Sequence, residues 1–261
     1  MNKILVRVLV LMALLPVSVS CSEMSAAPSV TFTPTDEIIP TPTITLTPTP
    51  RPTATITYTP TLEPAQVFAE PILAIVKDIP PHFADDFSQG NHGWSWDSRQ
   101  QNQVQIVDGV MKVDGSGGHG IFPPNNLLLS KNFIFEFDAR MLNKNTEIGT
   151  FFRQQNANIF YSFVIHGDRQ WSLYSSQEGY AGLNGGQNIQ PIGETNHIVI
   201  IAREDEFAVY LNGLPTAYSK DQTFLQAGNL MPTFSSRIGD RAQGEFDNFK
   251  FWDLDLVKGL P

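Results

Sequence analysis

Glu136, Phe137 and Asp138 set two carboxylates two residues apart inside an alternating apolar stretch. On a strand, positions i and i+2 lie on one face, so both acids project together. Paired carboxylates are the chemistry of glycosidic bond cleavage. A retaining mechanism needs a nucleophile and an acid/base whose carboxyl groups stand about 5–5.5 Å apart. Arg140 continues the same face. A guanidinium there keeps a neighbouring carboxylate ionised, which suits binding better than proton donation. The pattern equally describes a charged outward face joined by cross-strand pairs.

Arg153 closes an apolar run, at the parity opposite Thr150 and Phe152. On an open face it would fork to sugar hydroxyls or a carboxylate, or pair with Glu136 or Asp138 across strands. Trp96 and Tyr174 are the aromatic residues expected at the surface, where flat rings stack on sugars, whereas Trp94, Trp171 and Trp252 fit core positions. The ligand-binding candidates are therefore Arg153, Trp96, Tyr174, Glu136, Asp138 and Arg140, and no residue is assigned a catalytic role. His82, His92, His119, His166 and His197 are scattered without the spacing of a zinc site. No Ser/His/Asp arrangement emerges from spacing. The glycine-rich stretches at 115–120 and 179–186 lack the Lys-Ser/Thr and the following helix of a phosphate cradle.

Positioning these groups falls to short strands. Val104 to Val107 and Val110 to Val113 flank Asp108-Gly109, a hairpin turn because both residues tolerate positive φ. Phe133 to Met141 alternates strictly. Ile159 to Ile165 and Gln170 to Tyr174 flank a second turn; His197 to Ala202 and Phe207 to Leu211 form another pair, closed by Asn212-Gly213, and Glu245 to Leu254 is the last strand. Many strands at short spacing predict an all-β sandwich or barrel over residues 82–256, with 257–261 as a tail. Eighteen phenylalanines suit two packed sheets.

In order along the chain stand Asp85-Asp86-Phe87, Gly93-Trp94, the Asp108-Gly109 hairpin, Gly149 to Arg153, Tyr161-Ser162-Phe163, Tyr210 to Gly213 and Phe246-Asp247-Asn248-Phe249. Together they resemble the concanavalin A-like lectin/glucanase jelly roll, in its LamG-like branch near the 3-keto-disaccharide hydrolase domains. The resemblance spans about Phe83 to Leu254. It implies a two-sheet antiparallel jelly-roll sandwich with a concave face that often holds carbohydrate, lined with polar and aromatic groups if open and filled by Phe151 and Phe160 if not. It also implies a structural calcium beside the first and last strands, held by Asp85 or Asp86 with Asp247. In the similar laminarinase-type motif a second Glu follows the Asp; here Arg140 and Met141 occupy those positions, and the acid/base is missing.

The N-terminus reads as an export signal over residues 1–20: two positive charges, then an apolar run from Val8 to Val19 too short to span a bilayer. It ends at Ser18-Val19-Ser20-Cys21, which resembles a lipobox, with Ser18 where an aliphatic residue is usual. Cys21 is the expected lipidation site, a diacylglyceryl-cysteine holding an extracytoplasmic protein to the membrane or envelope surface. As the chain's one cysteine, it leaves the domain without disulfides. Residues 21–66 repeat Thr-Pro and predict a disordered, extended spacer. Residues 67–81 form an apolar segment, a leading strand or short helix, lying against the domain. A net charge of −9 excludes nucleic acid as a partner. The expected function is a membrane-anchored, non-catalytic carbohydrate-binding module, with a glycan-active hydrolase and a protein-docking envelope module as alternatives.

Overall fold

The computed structural model describes residues 63–97, 103–124, 128–177, 182–236 and 240–261. The signal, Cys21 and the Thr-Pro repeats lie outside these, and all described residues fall in one unit, Tyr58–Pro261.

The chain enters through a helix, α1 (Pro64–Val76), which begins inside the stretch expected to be spacer. Pro64 at the first turn loses nothing by lacking an N–H, and the Glu63 N–H donates to Gln66 Oε1 at 3.0 Å. Ala65, Ala69, Ile72 and Val76 recur at four, three and four residues, so one stripe is buried while Val67 and Pro71 face solvent. That spacing decides helix over strand for the apolar segment, despite the interior Pro71.

Fifteen strands follow among the described residues. They are β1 (Phe83–Asp85), β2 (Val104–Val107), β3 (Val110–Gly115), β4 (Gly118–Gly120), β5 (Leu129–Ser130), β6 (Phe133–Met141), β7 (Thr146–Asn156), β8 (Ile159–His166), β9 (Trp171–Ser175), β10 (Leu183–Gly185), β11 (Thr195–Arg203), β12 (Glu206–Leu211), β13 (Leu214–Lys220), β14 (Gly228–Ser236) and β15 (Ala242–Asp253). A 3-10 turn, Leu254–Leu256, follows. One sheet runs β13-β12-β11-β6-β15-β3-β2 with β1 beside β15; the other runs β10-β9-β8-β7-β14-β4 with β5 beside β14. Every pairing is antiparallel. The expected jelly-roll sandwich is what forms.

Between the sheets lies a core rich in phenylalanine. Phe133, Phe135 and Phe137 of β6 meet Phe246, Phe249 and Phe251 of β15, and Phe152 and Phe163 come from the facing sheet. A bulge in β15 explains Phe246-Asp247-Asn248-Phe249: Asn248 takes φ 53°, so two rings three residues apart both point inward. The turns at Asp108-Gly109 (φ 57° and 75°) and Asn212-Gly213 (φ 54° and 79°) have the two positive φ values their sequences predict. A second core lies outside the sandwich, where the buried stripe of α1 covers Ile134, Ile201, Ala208, Tyr210, Trp252 and Leu254. Trp252 is thus buried as expected, but by the helix, with its indole N–H donating to the Ile79 carbonyl at 2.8 Å.

Candidate functional site

Alternation along β6 sends Phe135, Phe137 and Ala139 into the core and Glu136, Asp138 and Arg140 out. The three expected residues therefore do share one face of the eight-stranded sheet, on the part α1 leaves open. Their partners come from distant strands. His197 of β11 stands opposite Asp138, with Nδ1 2.8 Å from Oδ1. Because a carboxylate only accepts, that nitrogen carries the proton. Lys250 donates to Glu136 Oε1 at 2.6 Å, and Asn248 donates to Asp138 Oδ2 at 2.9 Å. Arg140 donates through Nε to the Gly193 carbonyl and pairs through Nη1 with Glu245 at 3.3 Å. A cleft of about 290 Å³ adjoins them, lined in part by Asp138, Arg140, Asp247 and Asn248.

Burial works to raise the Asp138 carboxyl. Hydrogen bonds from His197 and Asn248, with the charges of His197 and Lys250, outweigh it and hold Asp138 below its ordinary value. His197 moves up from 6.5, foremost through its hydrogen bond to Asp138, against burial and with help from Glu136. Held ionised by these partners, Asp138 is poorly suited to donate a proton. The cluster's consequence is pH-dependent stability. A raised histidine contributes fully below about pH 6.5, its unfolded value, and the contribution fades as pH rises through the folded value. Denaturation midpoints measured from about pH 5.5 to 8.5 should fall in the wild type. The decline should be smaller in His197→Gln; equal declines would assign the effect elsewhere.

Arg153 corrects an expectation. Its backbone adopts φ 48° at a bulge in β7, so both Phe152 and Arg153 turn inward. The side chain is wholly buried. It donates to the carbonyls of Lys131 (2.9 Å), Phe224 (3.2 Å) and Glu204 (2.7 Å), with the guanidinium 4.8 Å from the Phe207 ring centre. Burial lowers its pKa to about 10, opposed by Tyr161, Glu204 and Asp205. It faces the interior rather than an open surface and pairs with neither Glu136 nor Asp138.

Asp85, Asp86 and Asp247, the residues expected beside calcium, stand near one another and each has partners within the protein. β1 does run beside β15, but Asp85 is buried and its oxygens accept from the Phe87 N–H (2.9 Å) and the Trp94 indole (2.8 Å), with His92 at 3.1 Å. Those donors occupy the oxygens a cation would need. Asp86 accepts from the Ser88 N–H at 3.0 Å. Asp247 is pushed up by burial and by the charges of Asp138, Asp86 and Asp85, against the Asn248 N–H. Among the described residues no three acidic, histidine or cysteine side chains group to hold a metal ion. Trp96 packs, partly buried, against the inter-sheet core.

Tyr174 leads to a second face, the outer side of the seven-stranded sheet. Register lays three rows across it. Ser235, Glu147 and His166 form the first, and Thr233, Gly149, Val164, Ser172 and Asn184 the second. Met231, Phe151, Ser162 and Tyr174 form the third. In the first row Ser235 donates to Glu147 Oε2 at 2.7 Å, and Glu147 Oε1 lies 3.2 Å from His166 Nδ1. In the third, Phe151 and Tyr174 are half-buried, and Phe160 joins Phe151 at 4.4 Å between ring centres. Ser162 is buried between them with its hydroxyl unpartnered. Phe151 and Phe160 thus line this face without filling it. Between the outer rows, Gly149 carries no side chain and Val164 a short one. The roles of His166 and His197 are not legible in the sequence, because their acidic partners lie 19 and 59 residues away and only strand register unites them.

The family model for the concanavalin A-like lectin/glucanases superfamily matches residues 114–258, more than half the chain. No curated protein sequence matches. Among solved structures, the chain is similar to a Bacillus licheniformis beta-glucanase (TM-score 0.52, 10% identity, 65% of this chain and 96% of that one). It is also similar to a native glycosidic hydrolase (TM-score 0.54, 13% identity, 70% and 98%). A third is a Bacillus subtilis protein of unknown function with a galectin-like fold (TM-score 0.52, 10% identity, 66% and 95%). At these identities the likeness is one of fold.

Proposed function

This chain belongs to the concanavalin A-like lectin/glucanases superfamily, and we propose that it is a glycan-binding module that cleaves no glycosidic bond. The observation that carries the reading is the outer face of the seven-stranded sheet, where Phe151, Phe160 and Tyr174 lie across one intervening row from the polar side chains of Ser235, Glu147 and His166. Sugars present an apolar ring face and a rim of hydroxyls, and a half-exposed aromatic row beside acceptors and donors matches both. The partnered state of Glu136 and Asp138 argues against hydrolysis at the other face. Support for carbohydrate over another ligand comes from the superfamily and its glucanase-like neighbours. The module is held outside the cell by lipidated Cys21 and the Thr-Pro spacer, as the signal-like N-terminus suggests.

One fractionation and binding experiment tests both halves. Full-length protein made in a bacterial host should partition with membranes, and Cys21→Ser should release it. The purified domain should be retarded in gels containing polysaccharide, and Phe160→Ala with Tyr174→Ala should cost at least tenfold in affinity, about 1.4 kcal/mol. Equal retardation of wild type and double variant across a polysaccharide panel would move the ligand off this face. Absence of any retardation would remove the reading.

A further inference from the structure

On the same face stands a constellation that binding alone does not use. His166 Nε2 lies 3.0 Å from Ser172 Oγ, while Nδ1 lies 3.2 Å from Glu147 Oε1. In the tautomer protonated at Nδ1, on the side of Glu147, Nε2 accepts the Ser172 hydroxyl proton. This is the connectivity of a serine nucleophile, its general base and an orienting acid. Glu147 is itself held by the Ser235 hydroxyl. His166 and Ser172 are only partly buried, so the hydroxyl is reachable from solvent. Directly opposite Ser172 in the ladder is Asn184, exposed on the edge strand β10. Cross-strand partners stand about 5 Å apart at Cβ on one face, which brings a carboxamide donor beside the reacting atom. A side-chain amide is a recurring donor to an acyl-transfer oxyanion.

We propose that Ser172, His166 and Glu147 form an ester-hydrolysing centre. Ser172 Oγ attacks the carbonyl carbon of a carboxylic ester as its proton passes to His166 Nε2, and the Asn184 amide faces the developing oxyanion. The bond from carbonyl carbon to alcohol oxygen breaks, and the alcohol leaves with the proton from the imidazolium. Water, giving its proton to His166, then attacks the acyl-serine and releases the carboxylic acid and free Ser172. The sum is ester plus water to acid plus alcohol. Glu147 keeps the Nδ1 proton in place and stabilises the imidazolium. The aromatic row lies next to the row of Ser172 in the ladder, so the alcohol portion of a bound ester would extend toward Phe151 and Tyr174. A small O-acyl group on a bound glycan is the substrate class this layout takes. That identity of the alcohol rests on the glycan reading, whereas the chemistry at Ser172 does not.

The test uses the full chain with a fluorophosphonate probe and p-nitrophenyl acetate, neither of which carries sugar, so it stands or falls apart from glycan retention. Wild type should be labelled on the peptide containing Ser172 and should hydrolyse the acetate. Ser172→Ala should abolish both, and His166→Ala should slow both by about a hundredfold or more. Glu147→Gln should lower kcat for the acetate with little change in KM, and Glu147→Asp should restore part of it. A purely structural residue would show neither the split nor the rescue. Labelling of wild type no faster than of Ser172→Ala, or labelling at another residue, overturns the proposal.

Discussion

Arg153→Met should lower the stability of the domain by about 3–5 kcal/mol, the largest loss expected from any single side chain here. Methionine fills the space but donates nothing. The carbonyls of Lys131, Phe224 and Glu204 would lose their donor, the Phe224 carbonyl while buried. Those carbonyls belong to three connections, between β5 and β6, between β13 and β14, and at the turn joining β11 to β12. One planar fork thus holds one end of both sheets together. Lysine keeps the charge yet cannot match three directions at once, so Arg153→Lys should recover only part of the loss. Denaturant midpoints read both changes. A methionine variant within about 1 kcal/mol of wild type would show that the carbonyls find other donors.

The second large effect concerns α1. Ile72→Asp places a carboxylate against Ile134, Ile201, Ala208 and Trp252, where it finds only apolar partners in this second core. Burying that charge costs more than the docking of one amphipathic helix returns, so the helix should leave the sheet. The sandwich keeps its own core, and its far-UV β signal should persist. Tryptophan emission should shift to the red as Trp252 loses its cover, while Trp94 and Trp171 stay buried. Protease should cut between Pro64 and Pro80 in the variant alone. Unshifted emission with an uncut segment would mean that the helix tolerates the charge. Loss of the β signal would mean that helix and sandwich fold as one.

What the sequence disclosed follows from which interactions are local. Period-two alternation put Glu136, Asp138 and Arg140 on one outward face, and positive-φ residue pairs marked two hairpins. The jelly roll itself was legible because its turns and alternating strands are short-range signals. Arg153 was misread because a one-residue bulge reverses parity, and nothing in GTFFR announces a left-handed backbone at its last residue. Helix α1 was half-read, since Pro64 and Pro71 look like breakers until the four-three-four apolar spacing is counted. Asp85 looked like a cation ligand because an acidic residue near a strand edge does not reveal which donors will reach it. The acid, base and hydroxyl groups of the seven-stranded sheet were invisible for a topological reason. Glu147, His166 and Ser172 lie on three successive strands, and only the pairing register sets them side by side.

The way the chain enters its domain has a mechanical side. Tension arriving at Glu63 meets α1 before any described strand, and α1 is held by four small or branched side chains and by the Tyr210 hydroxyl on the Ala65 carbonyl, with Trp252 holding Ile79 just beyond it. Such a contact peels turn by turn, whereas pulling a strand from a sheet loads many ladder bonds at once. Unravelling 13 residues from 1.5 Å to about 3.4 Å each lets out on the order of 25 Å of chain. If the chain is pulled through Glu63, the helix should therefore yield before the strands, while both sheets and the face they present keep their shape. The red shift that reports Ile72→Asp would report the same yielding under load.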